Sequence, residues 1–264
     1  MGNIHFWNGN KSVARQNYEV ALLKACLSVT DNEHTAAQVY IDNTDYPDAD
    51  DEGRIFETGA DILVTVAGNS KFDGINKLVI PSPLTKGLLG FRLLIVRDAS
   101  LSQFASFTTP EQLQQQRIGI PNTWADVALF RHNNYTVVER GALEDLFMRL
   151  KNEECDYVAL GVNEIESIYQ QFAEPLEGLS IEPSLMLYYP FPLVFYVNPE
   201  RPALAKRIQQ GLDVLQKTDG FSAIFNQYHD NLLETFNLKD RTLFTLTNPQ
   251  LPQSMINFRA SLLD

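Results

Sequence analysis

Apolar positions in this chain fall into short runs separated by polar turns, and the spacing within the runs alternates between strand-like and helical. Ile4–Trp7 (IHFW) predicts an opening strand, broken at Asn8-Gly9-Asn10. Tyr18–Val29 follows with Val20, Leu23 and Leu27 at helical spacing. Ala37–Ile41 is a second strand candidate, and acidic Asp48–Glu57 reads as a short helix. Asp61–Val66 (DILVTV) is mostly apolar, as in a parallel sheet covered on both faces. Leu78–Ile80 runs into Pro81-Ser82-Pro83, which cannot continue regular structure.

Further on, strands are expected at Phe91–Val96, Arg117–Ile120, Thr136–Glu139, Asp156–Leu160 and Leu193–Val197. Helices are expected at Trp124–His132, Ala142–Asn152, Ala203–Lys217 and Gly220–Leu233, with another opening near Asn163. Within Ala142–Asn152, Leu143, Leu146, Phe147 and Leu150 share one face; in the last helix Phe221, Ile224, Phe225 and Tyr228 point inward. Arg241–Asp264 is punctuated by prolines and has no clear periodicity.

Alternation of strands and helices predicts an α/β protein with parallel-rich sheets flanked by helices. The chain has 264 residues, enough for two lobes. Phe91–Val96 and Leu193–Val197 read as two hinge crossings between them. Residues 1–92 and 196–264 then form a discontinuous lobe 1, and residues 93–195 form an inserted lobe 2, with a cleft expected between the two that closes by hinge motion.

Composition narrows the partners. Thirty-three acidic residues against 21 basic ones give a formal charge of −12, unsuited to nucleic acid or an anionic membrane surface. No run of about 18 apolar residues predicts a membrane span. Met1-Gly2 leads straight into the first strand, so the missing leader is no argument against export. Cys26 and Cys155 fall in different expected lobes and have no neighbouring ligand residues, so neither a disulfide nor a metal is expected, and no cofactor motif is present. His5, His34, His132 and His229 are scattered, and G-x-S-x-G, H-E-x-x-H and phosphate-cradling loops are missing, so no catalytic residue is assigned.

The candidates for holding a ligand are polar or aromatic residues at successive strand ends. In lobe 1 these are Trp7 and Asn8, Asn69 and Ser70, then Ser82 and Lys86; in lobe 2 they are Asn122, Thr123, Trp124 and Asp126, then Gly161, Asn163 and Glu164. Trp7 and Trp124 offer flat contacts, and Trp124 could equally plug the expected lobe interface. Lys86 suits a carboxylate, while Asp126 and Glu164 suit an amine. Simpler roles compete: Asn122 or Thr123 as a helix cap, Asp126 as a first-turn charge, and Asn163 with Glu166 as a capping box. Gly161 lets a ligand approach the backbone.

Several of these residues also carry a family resemblance. Ile80-Pro81, the run from Pro83 through Lys86-Gly87-Leu88-Leu89-Gly90-Phe91-Arg92, Trp124-Ala125-Asp126, Leu143–Leu150, Asp156-Tyr157 and Gly161-Val162-Asn163-Glu164-Ile165 resemble type II periplasmic solute-binding proteins, near extracellular solute-binding family 3. The resemblance implies a two-lobed, monomeric periplasmic receptor that closes on a small polar metabolite, an amino acid or related amine, and hands it to a membrane permease or sensor kinase. It departs at Ala125, where similar chains carry Pro, and at Leu160, where many carry an Arg suited to a carboxylate. An enzyme of lyase or dehydratase type on the same fold, or the sensing domain of a signalling protein, are the alternatives.

Overall fold

The computed structural model describes residues 2–31, 38–122, 124–229 and 231–260. In chain order its main elements are β1 (Ile4–Trp7), α1 (Val13–Ser28), β2 (Val39–Asp42), α2 (Ala49–Gly53), β3 (Ile62–Val66), β4 (Leu78–Ile80) and β5 (Phe91–Arg97). Next come α3 (Leu101–Ala105), α4 (Pro110–Gln114), β6 (Arg117–Ile120), α5 (Asp126–His132), β7 (Thr136–Glu139), α6 (Leu143–Lys151), β8 (Tyr157–Gly161) and α7 (Ile165–Ile168). The chain then forms β9 (Leu179–Ile181), β10 (Leu185–Tyr188), β11 (Leu193–Val197), α8 (Pro202–Lys217), α9 (Gly220–His229), α10 (Leu232–Thr235) and β12 (Thr242–Thr245).

Contacts divide the chain into two compact units. Unit 1 comprises residues 1–85, 192–230 and 252–256; unit 2 comprises residues 86–191, 231–251 and 257–264. The expected crossing strands each lie wholly inside one unit. β5 pairs with β8, β9 and β10 in unit 2, while β11 pairs with β3 and β4 in unit 1. Their ladders are satisfied within their own sheets, so the chain changes unit in the turns beside them, at Thr85–Lys86 and Phe191–Pro192.

Unit 1 is built on a sheet of order β2-β1-β3-β11-β4, with β1 parallel to β2 and β3 and with β11 antiparallel to β3 and β4. Every residue of β3 and β11 is buried, the signature of strands covered on both faces. Helix α1 starts where Ser12 accepts a bond from the Arg15 amide. It packs on α8, whose buried residues Leu204, Ile208, Leu212 and Leu215 lie at helical spacing on one face. A Cβ at Gly211 would sit 2.3 Å from the Cys26 carbonyl oxygen, so glycine there permits the close helix approach. In α9 the buried stripe is Phe221, Phe225 and His229, while Tyr228 is exposed; an i, i+4, i+8 stripe is narrower than the face expected from sequence.

Unit 2 carries a sheet of order β12-β10-β5-β8-β6-β7, with β9 also on β5. Parallel pairs β6–β7, β6–β8 and β10–β12 mix with antiparallel β5–β8, β5–β9 and β5–β10. The ambiguous C-terminal stretch therefore supplies a strand. Arg241 anchors it by donating to the carbonyls of Phe236, Glu182 and Leu185. Ala37 of the expected second strand lies outside the described residues.

Candidate functional site

In unit 2, the parallel strands β6 and β8 end on one edge of the sheet, and antiparallel β5 begins there, with Arg92 opposite Gly161 in register. Asp126 opens α5 after β6, while Asn163 and Glu164 follow β8. These strand ends converge on Arg92, a residue the sequence reading treated as part of an apolar strand.

Arg92 is only 2% exposed. Its Nη2 lies 2.9 Å from Asp126 Oδ1, and its Nη1 lies 3.6 Å from Glu164 Oε1. The guanidinium carbon stands 5.3 Å from the ring centres of both Tyr189 and Phe191. The Tyr189 hydroxyl donates to Asp126 Oδ1. Burial alone would lower the Arg92 pKa, but the facing carboxylates and Tyr189 more than offset this, and the net shift is upward. Burial, with the Asp126 charge added and Arg92 opposing, raises the Tyr189 phenol well above its ordinary value.

One guanidinium faces two carboxylates, and all three groups are buried. Beside the pair, Asn163 Oδ1 is buried and has no hydrogen-bond partner. A Cβ built on Gly161 would stand 2.8 Å from Asn163 Oδ1, 3.0 Å from Leu89 Cδ1 and 3.3 Å from Glu164 Oε1, so glycine there permits these groups to pack closely.

Asp126 stands in the first turn of α5, and neither α5 nor α7 has a side-chain cap bond at its cap position, Ala125 and Glu164 respectively. Asn122 is exposed and its amide donates to the Gly141 carbonyl; Trp124 is half-buried; Thr123 lies outside the described residues. Lys86 is half-buried with φ of 52°.

In unit 1, Trp7 is a core residue, 2% exposed, whose indole N–H donates to the Thr44 carbonyl at 2.9 Å. Asn8 is buried, exchanging bonds with Gln16 while its Oδ1 has no partner. Asn69 Nδ2 donates to Thr65, and its Oδ1 accepts from the Lys71 amide. Ser70 is exposed, and Ser82 accepts from Gln209 at 3.3 Å. Close to Trp7 lies a cluster that the sequence reading missed. Lys11 Nζ is 2.7 Å from Glu19 Oε2 and donates to the Val64 carbonyl at 3.0 Å, while Arg15 donates to Glu19 Oε1 from both Nε and Nη2. Here two cations share one carboxylate. The signal available in sequence was the spacing of Lys11, Arg15 and Glu19, four residues apart each time.

Among solved structures, the chain superposes on a histidine kinase sensor domain with similarity to periplasmic binding proteins, at TM-score 0.60 and 15% identity, covering 86% of this chain and 96% of that one. It is similar to an ancestral arginine-binding protein bound to arginine, at TM-score 0.58 and 15% identity, covering 86% and 98%. A Salmonella typhimurium periplasmic binding protein described for high arginine specificity matches at TM-score 0.59 and 14% identity, covering 86% and 99%. The fold is that of periplasmic binding proteins. No family model and no curated protein sequence matches the chain. The neighbours are binding proteins and a sensor domain, and none of the three is described as an enzyme. Among the described residues, no helix of this periplasmic-binding-protein fold is long and apolar enough to cross a membrane, and no group of three His, Cys, Asp or Glu residues is placed to hold a metal ion.

Proposed function

We propose that this chain is an extracytoplasmic solute-binding protein for a small amine-bearing metabolite, an amino acid or close relative, serving a transporter. The observation that carries the reading is a buried acceptor without a hydrogen-bond partner, Asn163 Oδ1, at the strand ends of unit 2. It lies beside two buried carboxylates, Asp126 and Glu164, which face Arg92. An acidic, acceptor-rich environment of this kind suits a ligand ammonium. Structural neighbours include proteins described as bound to arginine and to glutamine, which favours the same ligand class. The neighbour that is a histidine kinase sensor domain supports a second reading, in which the same chemistry serves signalling.

Isothermal titration calorimetry against amino acids, their des-amino analogues and sugars tests the proposal. Amine-bearing compounds bind and raise the melting temperature, and the des-amino analogues bind weakly. Glu164→Gln removes one charged partner of the ammonium, so affinity falls about 10- to 100-fold, the range for a hydrogen bond to a charged group. Equal binding of an amino acid and its des-amino analogue would overturn the reading.

A further inference from the structure

The chain passes between its two compact units more often than a hinge of two crossings requires. Besides the turns at Thr85–Lys86 and Phe191–Pro192, it changes unit at 230–231, at Leu251–Pro252 and at Ile256–Asn257. The last two changes bracket a short piece. Residues 252–256 belong to unit 1, while the residues on either side, 231–251 and 257–260, belong to unit 2. We infer that the C-terminal segment 248–260 is a strap that limits hinge motion: its two ends are fastened in unit 2 beside the turns at Thr85–Lys86 and Phe191–Pro192, and its middle goes with unit 1. The inference goes beyond the ligand reading and applies whatever the ligand is.

The fastenings are specific. Asn248 Nδ2 donates to the Pro190 carbonyl at 2.8 Å, just ahead of the Phe191–Pro192 turn. The Ala260 amide donates to the Tyr188 hydroxyl at 3.2 Å, and the Tyr188 ring lies 4.6 Å from that of Phe91, centre to centre. Ala260 also closes over Gly87, just past the Thr85–Lys86 turn. Lys86 and Gly87 are both left-handed, with φ of 52° and 84°. A Cβ at Gly87 would stand 2.4 Å from Ala260 Cβ and 3.1 Å from Phe258 Cζ, so only glycine lets the strap sit on this turn. Between the fastenings, Pro249 and Pro252 stiffen the chain, and Met255 is buried. A hinge works where a few residues absorb a large change in φ and ψ. Here the residues beside both turns are held by one segment. Rotation of one unit against the other must draw 252–256 away from Asn248 and Ala260, or release the contacts to Pro190, Tyr188 and Gly87. A short link that carries two prolines has little slack to give.

Double electron–electron resonance tests this without a ligand. Spin labels go on Val214→Cys in unit 1 and Met148→Cys in unit 2, both at exposed helix positions. A second pair, Gln103→Cys with Met148→Cys, lies wholly inside unit 2 and reports its integrity. Cys26 and Cys155 are buried and stay unlabelled. The triple variant Tyr188→Phe, Asn248→Ala and Phe258→Ala removes the fastenings at half-buried positions. A second variant keeps them and lengthens the strap with flexible Gly-Ser insertions after Leu251 and after Ile256. In both variants the distance distribution between the units is broader than in the native protein, and the pair inside unit 2 is unchanged. Distributions between the units that match the native one in both variants overturn the inference. If the triple variant does not fold, or broadens the pair inside unit 2 as well, the insertion variant decides. Failure of the native protein to bind any amine overturns the ligand reading and leaves this measurement unaffected.

Discussion

Glu19→Gln exposes how unit 1 tolerates a buried ammonium. The Lys11 side chain is 3% exposed and that of Glu19 is 1%. Burial lowers the Lys11 pKa, and the Glu19 carboxylate opposes that shift as its largest favourable contribution. Replacing the carboxylate by an amide leaves Lys11 with the Val64 carbonyl and the faces of Phe6 and Trp7, each 6.0 Å away. Breaking one side of a buried pair costs about 3–5 kcal/mol. Lys11 can escape by losing its proton, which at pH 7 costs about 1.36 kcal/mol for each unit below a reference of ~10.4, or ~4.6 kcal/mol in all. The penalty at pH 7 is therefore capped near that figure.

The sign follows from the direction of the shift. A lysine whose folded pKa lies below its unfolded value contributes its full stability above ~10.4 and loses it as pH falls toward the folded pKa. In Glu19→Gln the folded pKa drops further, so the penalty shrinks by up to about 1.4 kcal/mol per pH unit between pH 7 and 9. Urea unfolding of the native protein and the variant at pH 7, 8 and 9 measures this, with Lys11→Met added to the variant to flatten the slope. A Glu19→Gln protein within about 1 kcal/mol of the native at pH 7, or a penalty unchanged across the range, would refute the argument.

Two further outcomes are expected. His229 is buried against Tyr18 and Phe225, and burial lowers its pKa to about 4. It therefore contributes stability that is full above an unfolded value of ~6.5 and is lost toward pH 4 at up to about 1.4 kcal/mol per unit; His229→Leu removes that slope in urea titrations, and an unchanged slope contradicts the assignment. Burial pushes the Cys26 and Cys155 thiols up to about 12 and about 11. At pH 8 neither reacts with a thiol reagent until urea unfolds the protein, and rapid labelling of the folded chain would show that they are not enclosed.

Strands with strong β composition were readable from the chain: Leu193–Val197 was expected with the same ends it has, and Phe91–Val96 ends one residue later. Strands β9, β10 and β12 were not read from the chain; each is short and lies in a stretch without a clear periodic pattern of its own. Asp126, Gly161, Asn163 and Glu164 could be picked out because strand ends in α/β sheets converge. What organises them could not. Arg92 sits in FRLLIV, where apolar neighbours on both sides make it look like a strand residue alone. A cation inside a strand covered on both faces demands buried carboxylates, and two of them stood at following strand ends; that inference needed the pairing of β5 with β8, which local periodicity does not contain. Trp7 shows the converse: its place at a strand end suggested a flat contact to a ligand, and the structure buries its ring in the core.

The strand Thr242–Thr245 has a consequence for synthesis of the chain. It pairs with Leu185–Tyr188, more than fifty positions upstream, along an edge that would otherwise be bare. On the ribosome, the sheet and long helices of unit 1 are all translated once His229 is made, whereas unit 2 still lacks its border strand. Nascent protein thus passes through a stage in which one half has every strand it needs and the other displays an open ladder, the kind of surface that recruits holdase chaperones or pairs with a neighbouring nascent chain.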